Sequence, residues 1–229
     1  MSQVKKYRAE VISVINPIEN IYTVEFRSLS GRFKYLPGQF LHLALDDYDP
    51  SFGWPESRCF SMQSSPSNEF IKITFSVKGR FTSRMAKVLK KGKTINLKLP
   101  YGELFQQEHS KDNVVFIAGG TGITPFLSAF SDPSFAEYNF PKLYFGVREQ
   151  TYNIYESCLA VAKAINLKLK IIIKYQNIDG IMDIASIINE NGIASTYFIS
   201  GPQMMIYYFK SQLIALGLEE SLIKADEWE

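Results

Sequence analysis

Up to residue 99 the apolar positions come in short stretches, at 7–15, 21–26, 40–45, 59–62, 70–77 and 94–99. These stretches are rich in β-branched and aromatic residues. Turn formers lie between them: Asn16-Pro17 after the first and Pro37-Gly38 before the third. Six such segments with turn chemistry between them predict an antiparallel β-barrel. A helical pattern at 83–89, ending at Lys91-Gly92, is its one interruption. The grammar then changes. Apolar runs at 114–118, 142–147, 168–173 and 196–199 alternate with helical periodicity near 124–130, 153–165, 183–190 and 203–216. That rhythm predicts a parallel, doubly wound α/β sheet. The polar run 106–113, with His109, Ser110 and Asp112, separates the two patterns, so two domains are expected, 1–108 and 109–229.

Composition narrows the classes. The chain has 229 residues, 46% hydrophobic and 21% charged, as in an ordinary soluble protein. A net charge of +2 argues against a nucleic-acid or anionic-lipid partner. No apolar run approaches the ~20 residues of a membrane span. The polar opening 1–6 leads straight into strand-like sequence, so no signal peptide is expected and a reducing cytoplasm is the expected compartment. Cys59 and Cys158 are the two cysteines, without metal-ligand spacing. An iron–sulfur cluster takes about four, so none is expected on this chain.

The run Val114-Val115-Phe116-Ile117-Ala118 ends at Gly119-Gly120-Thr121-Gly122, followed by Ile123-Thr124-Pro125. A buried strand that stops at glycines and turns into a helix brings backbone N–H groups to a point where a phosphate binds. Thr124 is placed to cap that helix and Pro125 suits its first position. The spacing departs from G-x-G-x-x-G, so the usual dehydrogenase fingerprint is absent.

Seven landmarks then occur in order over residues 37 to 204. They are Pro37-Gly38-Gln39-Phe40, Arg58-Cys59-Phe60-Ser61, the turn Gly79-x-x-Thr82, Pro100-Tyr101-Gly102, the glycine turn 119–122, Tyr144-Phe145-Gly146-Val147-Arg148, and Gly201-Pro202-Gln203-Met204. Together they resemble the ferredoxin–NADP reductase superfamily across essentially the whole chain. The resemblance implies a flavin-binding barrel at 1–108 and an NAD(P)-binding domain at 109–229. It implies that Arg58 grips the flavin pyrophosphate, that Phe60 packs near the flavin, and that Ser61 lies near flavin N5. Lys78, Gly79, Thr82 and Ser83 form a second phosphate element, suited to FAD or to FMN, with Phe81 beside them. Gly119, Gly120, Thr121, Gly122 and Thr124 hold the coenzyme pyrophosphate. Ser200, Gly201 and Pro202 border the nicotinamide, with serine where many relatives have cysteine. Met204 and the apolar residues after it are expected in the core.

Arg148 can meet a 2′-phosphate and Glu149 a 2′-hydroxyl, so NADPH and NADH both stay open, with Arg148, Lys174 and Tyr175 favouring NADPH. Trp228 is either a cover for the flavin face or an exposed terminal residue, with Asp226 and Glu227 beside it. His42 reads as a packed barrel residue or a flavin-edge contact. Neither it nor His109 shows spacing that supports a Ser–His–Asp scheme. The acidic, aromatic loop 46–56 is an acceptor-docking surface, a lid or a simple cover for the barrel end. The implied activity is hydride transfer from NAD(P)H to bound flavin, then electron transfer to a separate ferredoxin, flavodoxin or oxygenase component. A free flavin reductase and a non-catalytic nucleotide-binding subunit are the alternatives.

Overall fold

The computed structural model describes residues 3–225. The chain forms two compact units, Met1–Gly102 and Glu103–Glu229. The division falls ahead of the polar run 106–113 because Leu104 is fully buried in the second unit's core.

The first unit holds β1 (Lys5–Ile18), β2 (Ile21–Ser28), β3 (Phe40–Ala44), β4 (Ser57–Ser61), β5 (Ile71–Ser76), α1 (Arg80–Val88) and β6 (Thr94–Tyr101). The strands pair antiparallel in the order β4-β3-β6-β1-β2-β5. Beyond β4, the Gln63 N–H donates to the Lys72 carbonyl at 2.7 Å, which brings the two sheet edges together and makes the sheet barrel-like. Val24, Phe26, Leu41, Leu43, Ile71, Ile73 and Leu97 are fully buried inside it.

The turn expected at Asn16-Pro17 lies instead at Glu19-Asn20, where Asn20 has φ of 62°. Pro17 remains in β1 at a register irregularity, where a missing N–H costs no ladder bond. The Asn16 amide donates there to the carbonyls of Ile18 and Ile21, at 2.7 Å each. Helix α1 starts at Arg80, three residues before the expected 83. The cause is Thr82, whose hydroxyl accepts from the N–H groups of Lys78 (2.9 Å) and Gly79 (3.1 Å) and so folds the first turn.

The second unit holds β7 (Val114–Gly119), α2 (Thr124–Phe130), β8 (Lys142–Val147), α3 (Glu156–Ile165), β9 (Lys170–Tyr175), a single turn α4 (Gln176–Asp179), α5 (Ile184–Asn191), β10 (Thr196–Ser200), α6 (Gln203–Ala215) and β11 (Ile223–Ala225). All five strands are parallel, in the order β11-β10-β7-β8-β9. The unbroken apolar run of β7 follows from burial on both faces. Val114, Phe116 and Ala118 join a core with α2 and α3, while Val115 and Ile117 join another with α5 and α6. From β7 the chain winds outward through β8 and β9, then crosses to β10 on the other side of β7. Ligands of open α/β sheets bind where the winding reverses, outside the carboxyl ends of the strands. Here that point is the pair of ends Gly119 and Ser200.

At the opposite strand ends, Lys142 and Lys170 are paired in register and both reach Glu190, at 3.2 and 3.1 Å. The Tyr144 hydroxyl donates to the same carboxylate at 2.7 Å. These donors hold the Glu190 carboxyl well down, at about 2. Its stabilising contribution is present above the ordinary carboxylate range and is lost as pH falls through about 2. Because the side chain is 43% exposed, solvent screening limits that contribution. We expect Glu190→Gln to cost under about 1 kcal/mol at neutral pH. In denaturant melts the difference from wild type should vanish near pH 2; a difference that stayed constant with pH would contradict the assignment.

Candidate functional site

In the first unit the site residues gather where β4 meets the start of α1. Alternation along β4 puts Arg58 and Phe60 on one face and Cys59 and Ser61 on the other. Phe60 is half-buried and meets Phe75 edge-on at 6.0 Å. The Arg58 guanidinium lies 5.2 Å from the centre of the Phe81 ring, in the first turn of α1. Its Nη1 donates to the Ser57 carbonyl at 2.8 Å, and its Nη2 to the Glu56 carboxylate at 3.1 Å. Glu56 also meets Arg80 at 3.5 Å.

Gly79 caps α1 in an extended conformation, and a Cβ there would touch nothing within 4 Å. Backbone is therefore open to a ligand at that point. The first N–H groups of any α-helix lack intrahelical partners, so those of Arg80, Phe81 and Thr82 are donors that an anion could use at this end of α1. The Thr82 hydroxyl is itself engaged, donating to the Gly79 carbonyl at 3.1 Å. Thr82 thus offers its N–H more readily than its hydroxyl. Lys78 is exposed beside the cap, and the Ser83 N–H bonds the Gly79 carbonyl at 2.9 Å.

Across the other face of β4, Cys59 Sγ lies 3.4 Å from Nε2 of His42, its register partner on β3. His42 is thus a packed barrel residue with a thiol partner, which no local spacing in the sequence could reveal. Burial pushes the Cys59 thiol up, while burial and the nearby Lys98 push the His42 imidazole down. Both shifts favour the neutral pair, so the contact is not an activated thiolate. The loop 46–56 is fastened to the barrel. The Tyr48 and Trp54 rings lie 5.3 Å apart, Lys98 lies over Trp54, and Arg84 pairs with Asp46.

In the second unit two glycine turns interlock at the carboxyl ends of β7 and β10. A Cβ on Gly122 would lie 2.4 Å from the Gly201 Cα and 2.6 Å from the Ser200 carbonyl oxygen. Gly120 adopts φ of 54°, and residues Gly120–Ile123 form a 3₁₀ turn leading into α2. Thr121 is half-buried at the turn's surface. Thr124 does not cap α2. Its buried hydroxyl donates at 2.9 Å to the Thr121 carbonyl, because the 3₁₀ turn already supplies the entry to the helix. Ser200 is buried at the end of β10 in register with Ala118, and Pro202 precedes α6.

Met204 departs from expectation: it is 77% exposed. The methionine that packs is Met205, whose thioether would meet a Cβ on Gly119 at 2.7 Å and one on Gly201 at 2.5 Å. One residue along a helix rotates the side chain by about 100°, and that offset separates the two methionines.

Arg148 follows β8 and is exposed at a groove of about 540 Å³ with Glu149, Tyr152, Gln176 and Asn177. Glu149 accepts from the Thr151 hydroxyl at 2.7 Å, whereas Arg148 makes no ion pair among the described residues. Lys174 and Tyr175 lie alongside, in register with Gly146 and Val147. Beside the groove the buried Asn153 side-chain amide has no hydrogen-bond partner among the described residues. Trp228, with Asp226 and Glu227, lies outside the described residues. Among the described residues no cluster of His, Cys, Asp and Glu is suited to a metal, and no helix is long and apolar enough to cross a membrane.

A barrel with a basic helix cap, followed by a parallel sheet with interlocked glycine turns at its switch point, defines the two-domain class of flavin- and nicotinamide-nucleotide oxidoreductases. Comparison places the chain within it. Residues 1–134 match the FAD-binding domain family, and the chain belongs to that family, within the ferredoxin–NADP reductase superfamily. It is 32% identical over 133 residues to the terephthalate 1,2-dioxygenase reductase component 2 of Comamonas sp, covering 56% of this chain and 37% of that protein. It is 28% identical over 148 residues to the ferredoxin–NAD(P)(+) reductase component of the Pseudomonas putida naphthalene 1,2-dioxygenase system, covering 62% of this chain and 42% of that one. The match thus spans well under half the length of these relatives.

Among solved structures, the chain is similar to a ferredoxin NADP+ reductase from Neisseria gonorrhoeae with bound FAD and NADP. The TM-score is 0.77 at 20% identity, covering 97% of this chain and 98% of that one. The flavohemoglobin-like FAD/NAD-binding domain of a Vibrio cholerae nitric oxide dioxygenase gives a TM-score of 0.80 at 18% identity, with 97% and 98% covered. At such identity these structures speak for the fold.

Proposed function

We propose that the protein is an NAD(P)H-dependent flavoprotein reductase that carries FAD on its first unit and passes electrons to a separate acceptor. The observation that carries this reading is the Arg58 guanidinium held over Phe81 at the start of α1, in a chain of the FAD-binding domain family. Arg58 and the first N–H groups of α1 supply the charge and donors that a pyrophosphate takes. A bound flavin supplies hydride acceptance and single-electron release. The chain's own residues bind and orient. Phe60 offers a half-buried ring beside the flavin, and Ser61 ends the same strand, where the flavin's N5 edge is proposed to lie.

On the second unit, the glycine turn and Thr121 receive the coenzyme pyrophosphate. Ser200, Gly201 and Pro202 border the nicotinamide. NADPH is the proposed coenzyme, since among the described residues Arg148 has no carboxylate partner while Glu149 is engaged by Thr151. The likeness to reductase components of dioxygenase systems favours an oxygenase component, a ferredoxin or a flavodoxin as acceptor. The proposed division of labour follows the two units: Met1–Gly102 for flavin and Glu103–Glu229 for coenzyme.

The experiment that tests this reading is purification without added cofactor, followed by spectroscopy. Protein that retains FAD and is reduced faster by NADPH than by NADH is the expected result. Colourless protein that turns over added riboflavin would point to a free flavin reductase instead.

A further inference from the structure

Glu56 is a carboxylate at the centre of the phosphate cradle. It immediately precedes β4, and the two-residue spacing puts it on the same side as Arg58. Its Oε1 accepts from Arg58 Nη2 at 3.1 Å, and its Oε2 from Arg80 Nη2 at 3.5 Å. Arg84, one turn further along α1, is committed to Asp46 and does not share this carboxylate. The two arginines nearest the first turn of α1 are therefore both turned toward one side-chain anion.

We propose that Glu56 is a built-in counter-anion which the FAD pyrophosphate must displace, so that it sets how loosely the flavin is held. This rests on the FAD site proposed above. An alternative role, fixing Arg58 in place, is disfavoured by the other contacts of that guanidinium. The Ser57 carbonyl holds Nη1 at 2.8 Å and the Phe81 ring lies beneath the plane at 5.2 Å. Arg58 therefore keeps its position without Glu56, and what Glu56 occupies is Nη2, the half of the fork a phosphate oxygen needs. Arg80 is 89% exposed and has no other side-chain partner among the described residues, so it can follow whichever anion is present. Displaced, the Glu56 carboxylate stays within a few ångströms of a bound dianion and repels it. Both effects lower affinity for phosphate-bearing flavins and leave riboflavin, which has no phosphate, untouched.

The test is equilibrium titration of flavin-stripped protein with FAD, with riboflavin as control, at low ionic strength. Glu56→Gln keeps the shape and removes the charge. Since exposed ion pairs and their repulsion are weak, the expected gain in FAD affinity is about three- to tenfold. Riboflavin affinity is unchanged, and the gain shrinks as salt is raised. Arg80→Ala should weaken FAD binding and leave riboflavin binding alone. FAD affinity that is unchanged or weaker in E56Q overturns the proposal and makes Glu56 a positioning residue for Arg58. So does an equal change for the two flavins. Wild-type protein that bound FAD no more tightly than riboflavin would instead overturn the phosphate site itself, and this inference with it.

Discussion

Arg58→Ala should weaken FAD binding by about 10- to 100-fold and leave the barrel folded. A hydrogen bond to a charged group contributes about 1.5–3 kcal/mol, and each 1.4 kcal/mol is tenfold in affinity. The loss to folding is far smaller. The Arg58 side chain is 54% exposed, and its native contacts are a neighbouring carbonyl, an exposed carboxylate and one ring face. Such contacts at an exposed site sum to about 1 kcal/mol or less. Flavin occupancy after purification and a thermal melt separate the two effects. Unchanged occupancy with a lowered melting temperature would make Arg58 a structural residue and remove the flavin from this face of β4.

Gly122→Ala should abolish coenzyme-driven reduction while leaving FAD affinity intact. The added Cβ would lie 2.4 Å from the Gly201 Cα, 2.5 Å from the Gly201 nitrogen and 2.6 Å from the Ser200 carbonyl oxygen. All three are backbone atoms at the carboxyl ends of β10 and its turn, so no side chain can swing away. Relief requires the two turns to part, and overpacking of this kind costs about 1–3 kcal/mol, occasionally more. The parting occurs where nicotinamide and pyrophosphate are proposed to lie, so the coenzyme loses its bed even if the unit folds. Titration with FAD and anaerobic mixing with NADPH read the two units independently. Equal loss of both activities would mean general unfolding, and loss of neither would place the coenzyme elsewhere.

Both architectures were legible because each has its own pattern. Short stretches rich in β-branched and aromatic residues, set between turn formers, declared the barrel, and the solid run of β7 declared a strand buried on both faces. Elements that depend on side-chain bonding were harder to read. The early start of α1 depends on a hydroxyl bonding two N–H groups behind it, and the displaced first turn depends on the Asn16 amide. Strand β11 has three residues and no periodicity to display; its place comes from pairing with β10.

At the proposed sites, Arg58, Gly79 and the glycine turn stand out in the sequence as local motifs. The partners were not. Cys59 meets His42 only through the register of two strands separated by the loop 46–56. Glu56 stood visibly two residues before Arg58, but its tie to Arg80 comes from how α1 docks against β4. Met204 and Met205 show the limit in its smallest form: adjacent residues of the same type, of which helix phase packs only one, partly buried, against the core.

The most direct measurement of the central claim is anaerobic mixing of FAD-loaded wild-type protein with one equivalent of NADPH, followed by flavin absorbance. The account predicts that the oxidised flavin band bleaches in a single turnover and that NADH does the same more slowly. A bound flavin that neither coenzyme bleaches would contradict it.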